Sequence, residues 1–338
     1  MATPARPVVD VHAHLLGLDR ERHGCVVSAA MKRRISTRFV LGRMGAKVSD
    51  PPQDIDRKYV DHLHRMLDAS PSVDRVVLLP LDGVYGADGL LDERRTNLLV
   101  PNDYVAAIAA GHPKLVPACS INPMRRDALA EIDRCAARGA VLLKWLPAAQ
   151  GFDATDPRHA PFYARLAAVG MPILSHVGTE FAVTTVDKAC GAMERLLPAL
   201  EAGVRVIVPH AGGLCLFGDR ADWQGLVDRM IRYPNLWLDD SALLMFHRRR
   251  RLMRVVETTS VHGRILHGSD FPLPAQAMAF ADKIGLRRAR TIGRIPGAFE
   301  QDIALKKALG VPDLFLTNAS DALRLPPATL TPPGSTRP

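Results

Sequence analysis

Short apolar runs alternate along the chain with longer stretches whose apolar positions recur about every 3.6 residues. Continuous apolar runs of this length predict buried parallel strands, and the 3.6-residue period predicts the helices that cover them. Eight such runs are found, at residues 8–14, 75–80, 115–119, 140–146, 171–175, 204–208, 236–238 and 264–266. The alternation therefore predicts an α/β protein.

Eight strand–helix units in a chain of 338 residues favour a single (β/α)₈ TIM barrel, here expected to span residues 1–325. An open doubly wound sheet is the alternative, but the sequence lacks the glycine-rich phosphate loop that usually follows the first strand of that fold. Helical spacing predicts helices over residues 55–69, 125–138, 161–169, 189–202 and 223–232.

Two segments depart from the alternation. Residues 18–57 follow the first predicted strand and lack clear periodicity, which predicts a partly helical cap over a site, because long loops in compact domains are usually functional or disordered. Residues 326–338 are rich in Pro, Thr and Ser and predict a flexible C-terminal tail.

The composition is that of a soluble globular protein, with 47% apolar and 23% charged residues. No apolar run approaches the roughly 20 residues that span a bilayer, and the first residues lack the apolar segment of a secretory signal. These features predict a cytoplasmic protein without a membrane partner. Reduced thiols are expected, because no CxxC pair occurs among Cys25, Cys119, Cys135, Cys190 and Cys215.

The net charge of +9 and the pI near 9.6 raise the question of an acidic partner. The densest basic run, residues 247–251, would be the contact for a nucleic acid. The other arginines are dispersed, aromatic residues make up only 5%, and no nucleic-acid-binding motif occurs. A solvated helix face, or a loop beside an anionic small-molecule substrate, is therefore favoured over nucleic acid. A homodimer stays open.

The first predicted strand carries a row of ionisable groups. Asp10, His12 and His14 alternate with apolar residues, so a regular strand places them on one face. Two imidazoles on a rigid strand can bind one metal ion, and the neighbouring acid can orient them. Taken alone, the pattern also fits a strand whose polar face meets water.

Polar residues recur at the carboxyl end of five predicted strands, the rim where barrel enzymes place their active groups. Taken singly, each could be an ordinary end-of-strand donor, but recurrence at equivalent positions indicates a site. The residues are His12 and His14 after the first strand, Lys144 after the fourth, His176 after the fifth, His210 after the sixth and Asp270 after the eighth. His267 lies three residues before Asp270, an odd separation that points it away, towards a helix.

Three imidazoles and one carboxylate, from His12, His14, His176 and Asp270, suit Zn²⁺ or a similar divalent ion with one position left for water. Such an ion lowers the pKa of its water to about 7, so hydroxide becomes available at neutral pH. Asp270 could accept the proton and pass it to a leaving group. His210 could polarise a substrate carbonyl or share the role of base, and the sequence leaves both open.

These residues resemble the amidohydrolase superfamily, in the branch that includes aminocarboxymuconate-semialdehyde decarboxylase, related aromatic-acid decarboxylases and metal-dependent hydrolases. The resemblance runs from about residue 8 to 325 and implies metal binding by His12, His14, His176 and Asp270, with catalysis by His210. The matching motifs are HxH at 12–14, LKWLP at 143–147, PILSHVG at 172–178, HAGG at 210–213, YPNLWLDDS at 233–241 and GSDFP at 268–272.

Lys144 has three interpretations. Some binuclear members of the superfamily carry a carboxylated lysine at the end of the fourth strand, so Lys144 could bridge two ions. It could also contact an anionic substrate, or pack its stem along the mouth of the barrel. We expect one ion, with a second only if Lys144 is carboxylated.

The leading functional prediction is a metal-dependent hydrolase in which metal-bound hydroxide attacks an ester, lactone or amide carbonyl. Non-oxidative decarboxylation of an unsaturated or aromatic acid is the alternative, because both reactions would use the same metal ligands. A non-catalytic binding protein is a third possibility, which the retention of both His210 and Asp270 disfavours. Arg94 and Arg95 suggest a carboxylated substrate, although two solvated arginines explain them equally well.

Overall fold

The computed structural model describes residues 6–178, 182–212 and 222–325. Gly213, Cys215 and the tail predicted at 326–338 lie outside the described residues. The strands, in chain order, are β1 Val9–His14, β2 Val26–Val27, β3 Arg75–Leu79, β4 Leu98–Leu99, β5 Leu115–Pro117, β6 Leu143–Trp145, β7 Ile173–Ser175, β8 Val206–Val208, β9 Leu236–Asp239 and β10 Ile265–Leu266.

Sixteen α-helices connect and cover the strands in the described ranges. None of these helices combines the length and the apolar character that crossing a membrane requires. They are α1 Arg20–His23, α2 Ala29–Arg33, α3 Ile35–Arg43, α4 Pro52–Asp68, α5 Asn102–Ala110, α6 Ala128–Ala137, α7 Pro147–Gln150, α8 Ala160–Val169, α9 Leu197–Glu201, α10 Trp223–Arg232, α11 Arg249–Glu257, α12 Ala281–Ile284, α13 Leu286–Ile292, α14 Ala298–Ala308, α15 Asp313–Thr317 and α16 Ala319–Ala322.

Eight strands pair in parallel, in the orders β1-β3-β5 and β6-β7-β8-β9-β10. Isolated parallel bridges, Cys119↔Leu143 and Ala13↔Phe271, connect these two sets of strands. The eight strands correspond to the eight apolar runs of the sequence, so the prediction of an α/β protein is confirmed.

The parallel register brings the carboxyl ends of the strands to a common rim. Lys144 of β6 pairs with Leu174 of β7, and Asp239 of β9 pairs with Leu266 of β10. The strands carry apolar side chains on both faces. Ile173 belongs to a buried cluster that includes helix residues, whereas Leu174, next in the chain, belongs to a cluster shared with most of the other strands. Burial on both faces explains why the strands are continuously apolar in the sequence.

The segment of residues 18–57, called the cap below, packs against residues that follow the strands of this rim. It contains α1, β2, α2 and α3, and β2 pairs antiparallel with β4. Met31 of α2 shares a buried apolar cluster with Leu81, Leu146 and Val183, which follow β3, β6 and β7. The cap is therefore held on the rim by apolar packing and by the antiparallel pairing of β2 with β4.

Some predicted boundaries differ from the structure. The helix predicted from residue 55 begins at Pro52. Proline is favoured in the first turn of a helix because the N–H groups there have no partner within the helix, so the N–H that proline lacks costs no hydrogen bond. The helix predicted over 189–202 is mostly 3₁₀ turns, and only α9 is α-helical. Pro198 cannot donate to the preceding turn, so the α-helix starts beside it. The two-residue strands β2 and β4 are too short to give a periodic signal.

Asp56 of α4 joins the two ends of the cap. Its carboxylate oxygens accept hydrogen bonds from the backbone N–H groups of Leu18 (2.7 Å) and Asp19 (3.1 Å), and the side chain is buried. We expect Asp56→Ala to lower the free energy of unfolding by about 2–4 kcal/mol, because it leaves two buried donors without acceptors. Urea unfolding followed by circular dichroism measures the change.

The matched control is Asp61→Ala, an exposed aspartate on the same helix, which should change the free energy of unfolding by no more than about 0.5 kcal/mol. Equal stability of the two variants would contradict the role assigned to Asp56.

Candidate metal centre

Three potential ligand atoms converge where β1 and the turn after β10 meet. His12 Nε2 lies 3.2 Å from His14 Nε2 and 3.5 Å from Asp270 Oδ1, and His14 Nε2 lies 3.2 Å from the same oxygen. Ligand atoms about 2.1 Å from a tetrahedral ion are separated by about 3.4 Å. The spacing and the donor types therefore fit a single divalent cation.

The ligand group is open on one side only. The side chain of His14 is 38% exposed, whereas those of His12 and Asp270 are 1% and 10% exposed. A small molecule can therefore approach from the side of His14, while His12 and Asp270 are shielded by protein. This asymmetry is typical of a site that binds an exchangeable ligand.

Asp239, the last residue of β9, orients His12. Its Oδ2 lies 2.8 Å from His12 Nδ1, and a carboxylate oxygen can only accept a hydrogen bond, so Nδ1 carries the proton. The lone pair of His12 is then on Nε2, the nitrogen that faces His14 and Asp270. A carboxylate behind a histidine is the usual arrangement that directs a metal-ligating imidazole.

The same reasoning assigns the tautomer of His210. Its Nδ1 lies 3.0 Å from the backbone carbonyl oxygen of Ser241 and 2.8 Å from Ser241 Oγ. The carbonyl oxygen only accepts, so Nδ1 carries the proton and Nε2 is left as an acceptor. His210 stacks on His12, with ring centroids 5.3 Å apart. In its neutral form it is therefore suited to accept a proton rather than to polarise a carbonyl.

Backbone geometry at the rim is unusual. His210 and Asp270 adopt positive φ angles of 58° and 62°, as do Ala211 and Ala242. Residues other than glycine avoid this region, at a cost of order 1–3 kcal/mol each. The strained turns are held by hydrogen bonds from His210 N to Asp239 Oδ1 (2.9 Å) and from Asp270 N to the His12 carbonyl (2.8 Å). Glycine would remove the strain but would also remove the imidazole and the carboxylate.

His176 lies next to His210, with ring centroids 5.4 Å apart, and is buried. Among the described residues, the group whose ligand atoms all lie within 4.8 Å of one another is His12, His14 and Asp270. The structure thus places His176 at the same rim, beside His210 but outside the group formed by His12, His14 and Asp270. Its role as a metal ligand stays a prediction.

Lys144 points its ammonium into the site. Nζ lies 3.3 Å from His12 Nε2, and the residue is buried. Its backbone carbonyl accepts a hydrogen bond from Ser120 Oγ (2.7 Å), which fixes the end of β6. This buried position favours contact of the Lys144 head group with an ion or a substrate. It disfavours the alternative in which the head group is solvated.

The protonation states suit metal binding. Burial, together with the positive charge of Lys144, lowers the pKa of His12 to about 4. Burial alone would raise the pKa of Asp270, but the neighbouring His12, His14 and His210 imidazoles hold it well below its usual range. A neutral imidazole and an ionised carboxylate are the forms that bind a cation without first losing a proton.

Sequence reasoning missed Asp239 and misassigned the part played by Asp10. Asp10 Oδ1 accepts from the backbone N–H groups of His12 (2.9 Å) and Ser269 (3.1 Å), so it ties the β1 backbone to the turn after β10 and does not contact an imidazole nitrogen. The register of β1 shifts between Asp10 and Ala13, which interrupts strict alternation. The available signal for Asp239 was its position at the carboxyl end of the seventh predicted strand.

His267 lies outside the ligand group, as its odd separation from Asp270 predicts. It is fully buried, and its Nδ1 lies 2.9 Å from Nζ of Lys306 in α14. The ring therefore packs towards a helix.

The sequence profile of the amidohydrolase family matches residues 9–310. The chain belongs to the amidohydrolase family. The resemblance drawn from its motifs is thereby confirmed. No curated protein matches the sequence.

Solved structures with the same fold cover nearly the whole chain. An uncharacterised TIM-barrel protein from Bordetella bronchiseptica is 16% identical, with a TM-score of 0.57, and the match covers 93% of this chain and 99% of that one. A putative 2-pyrone-4,6-dicarboxylic acid hydrolase from Pseudomonas putida is 15% identical (TM-score 0.54, covering 94% and 97%). A 5-carboxyvanillate decarboxylase from Sphingomonas paucimobilis is 12% identical (TM-score 0.53, covering 95% and 100%). These likenesses confirm the TIM-barrel fold class.

We expect Asp239→Asn to weaken metal binding by about 10- to 100-fold. The single oxygen of asparagine is needed by the backbone N–H groups of His210 and Ser241, both 2.9 Å from Asp239 Oδ1. The amide nitrogen would then face His12 Nδ1 and force the imidazole proton onto Nε2. Titration of Zn²⁺ into the apo protein measures the affinity.

The control is Asp228→Asn, the same chemical change at an exposed position of α10. Metal affinity of the Asp239 variant equal to that of this control would contradict the orienting role.

Proposed function

We propose that the chain is a metal-dependent hydrolase that attacks the ester, lactone or amide carbonyl of a small anionic molecule. The observation that carries the proposal is the convergence of two imidazole nitrogens and a carboxylate oxygen, 3.2–3.5 Å apart, beside a third imidazole. His12, His14 and Asp270 would hold the ion, Zn²⁺ in the first instance, with His176 as a further ligand. A bound divalent ion supplies the Lewis acidity that makes water nucleophilic at neutral pH.

His210 is assigned the proton transfer. Its Nε2 accepts the proton that the attacking water loses, and the imidazolium then gives this proton to the departing oxygen or nitrogen. The carbonyl of Ser241 accepts from Nδ1 in both protonation states of His210. The negative charge of the nearby Asp239 carboxylate favours the protonated, imidazolium form of His210. The ring therefore keeps its orientation through the cycle.

An anionic substrate is supported by charge. The chain carries a net charge of +9, and Arg248 is buried close to His210. Burial is the larger cause of the lowered pKa of His210, and the charge of Arg248 lowers it further. Arg94 and Arg95 are exposed, which favours the solvated alternative for these two residues. A carboxylate on the substrate would be attracted to the Arg248 side of the site.

Metal content tests the ligand assignment. We expect about one equivalent of divalent metal per chain, and His14→Ala or His176→Ala should lower the content sharply, because each removes a nitrogen donor. His64→Ala, a histidine of α4 that is not a proposed ligand, is the control. Elemental analysis of purified protein gives the ratio. Two equivalents that fall to one in Lys144→Met would instead indicate a bridged pair of ions.

Catalysis tests the role of His210. We expect His210→Gln to lower kcat by about 10²- to 10⁴-fold, because the proton acceptor is lost, while metal content stays at the wild-type value. His159→Gln, a buried histidine away from the ligand group, should leave kcat unchanged. The assay scores panels of carboxylated lactones, esters, amides and aromatic acids for acid release against CO₂ release. Release of CO₂ without hydrolysis would replace the proposal by non-oxidative decarboxylation.

A further inference from the structure

A buried lysine sits behind the candidate metal centre. Lys306 of α14 is 1% exposed, and its ammonium donates hydrogen bonds to Asp240 Oδ1 (2.8 Å), His267 Nδ1 (2.9 Å) and the Gly268 carbonyl (2.8 Å). Asp302, one turn earlier on the same helix, contributes a carboxylate oxygen at 2.8 Å as an ion pair. All three N–H donors of the ammonium are thus directed at residues that follow β9 and β10.

We propose that Lys306 is a positioning residue that holds Asp270 in its metal-binding position through the Gly268 peptide. The inference rests on the proposed function, because it concerns the same metal ligand. It assigns to α14, a helix outside the parallel strands, a role in the metal affinity of the site.

The route from Lys306 to Asp270 is short. Gly268, two residues before Asp270, donates its N–H to Asp240 Oδ1 (3.0 Å), the oxygen that also accepts from Lys306. Its carbonyl accepts from Lys306 directly. Lys306 and Asp240 therefore hold both hydrogen-bonding groups of Gly268.

The next two residues are held from the other side. The N–H of Ser269 donates to Asp10 Oδ1 (3.1 Å), and the N–H of Asp270 donates to the His12 carbonyl (2.8 Å). The turn is thus suspended between β1 and α14. Removing the α14 anchor would leave the turn that carries Asp270 held by β1 and by the single hydrogen bond from Gly268 N–H to Asp240.

Steric contacts limit the turn as well. A Cβ atom at Gly268 would lie 2.8 Å from the Cβ of His12 and 2.9 Å from the Cβ of Ser241, closer than such atoms approach in proteins. Crowding therefore limits how far Gly268 can approach these strands, and the Lys306 hydrogen bond limits how far it can withdraw. A shift of this peptide by a fraction of an ångström would move the Asp270 oxygen relative to the two imidazoles.

A buried ammonium is costly, and an apolar side chain of similar size often serves stability equally well. If Lys306 is purely structural, its replacement can change the stability of the apo protein but leaves the metal affinity of the folded protein unchanged. A positioning lysine would affect the metal affinity of the folded protein. The two roles are separated by measuring both quantities on the same samples.

The experiment titrates Zn²⁺ into the apo full-length chain in competition with a chromophoric chelator and records the Tm of each apo protein. We expect Lys306→Met to weaken Zn²⁺ binding by about 10- to 100-fold, as loss of a group that supports a ligand commonly does. The double variant Lys306→Met/Asp240→Asn leaves only one buried carboxylate, Asp302, without its cation instead of two. The oxygen of the introduced side-chain amide can still accept from Gly268 N. The double variant should show the same loss.

Asp302→Asn is the matched control, because it alters the same buried cluster on the same helix but leaves the three Lys306 hydrogen bonds in place. Its Zn²⁺ affinity should equal that of the wild type even if its Tm falls. Folded Lys306 variants with wild-type affinity would overturn the inference while leaving the proposed function intact. Absence of Zn²⁺ binding by the wild type, with His14→Ala behaving identically, would overturn the proposed function itself.

If neither Lys306 variant folds, hydrogen exchange of the wild type decides the question. Metal binding that fixes Asp270 should slow amide exchange in residues 303–306 of α14 as well as in 267–270. Slowing confined to the ligand turns would contradict the coupling.

Discussion

One buried carboxylate organises the site. Asp239 accepts hydrogen bonds from the imidazole of His12, from the backbone N–H groups of His210 and Ser241, and from the hydroxyl of Ser241. With four donors around it, its ionised form is stabilised despite complete burial, and its pKa lies below the usual range. The two oxygens of Asp239 thereby fix the tautomer of His12 and hold the strained turn at His210. They also orient the hydroxyl of Ser241, which contacts the rings of His12 and His210. The candidate ligand and the candidate base share one support.

The parallel arrangement of the strands allows such a site to be predicted from a sequence. Because carboxyl ends of parallel strands meet at one rim, residues that end separate apolar runs are expected to be neighbours. His12, His14 and Asp270 end or follow the first and eighth runs and do converge, although more than 250 residues lie between His14 and Asp270. The apolar runs themselves were recognisable because both faces of each strand are buried.

What could not be predicted depends on partners distant in the chain and on local departures from regular geometry. Lys306 lies in a helix whose sequence, seen alone, offers a lysine of the kind that usually faces solvent, and its burial follows only from the approach of Asp240 and His267. The shifted register of β1 takes Asp10 out of the row it would form with His12 in a regular strand. Positive φ angles are uncommon for any residue other than glycine, so a propensity argument would not have assigned them to His210 and Asp270.

The rim is costly for the fold, and that cost bears on function. Asp10, Lys144, Asp239 and Asp270 are all buried, and each has an atom within 3.5 Å of His12. Two of the turns that carry the site are strained. Apolar residues of similar volume commonly give equal or greater stability than buried charges. A barrel that only bound a partner through its outer surface would have no physical reason to keep these groups. The proposed binding of a cation by His12, His14 and Asp270, and the reaction proposed for it, would account for this arrangement around His12.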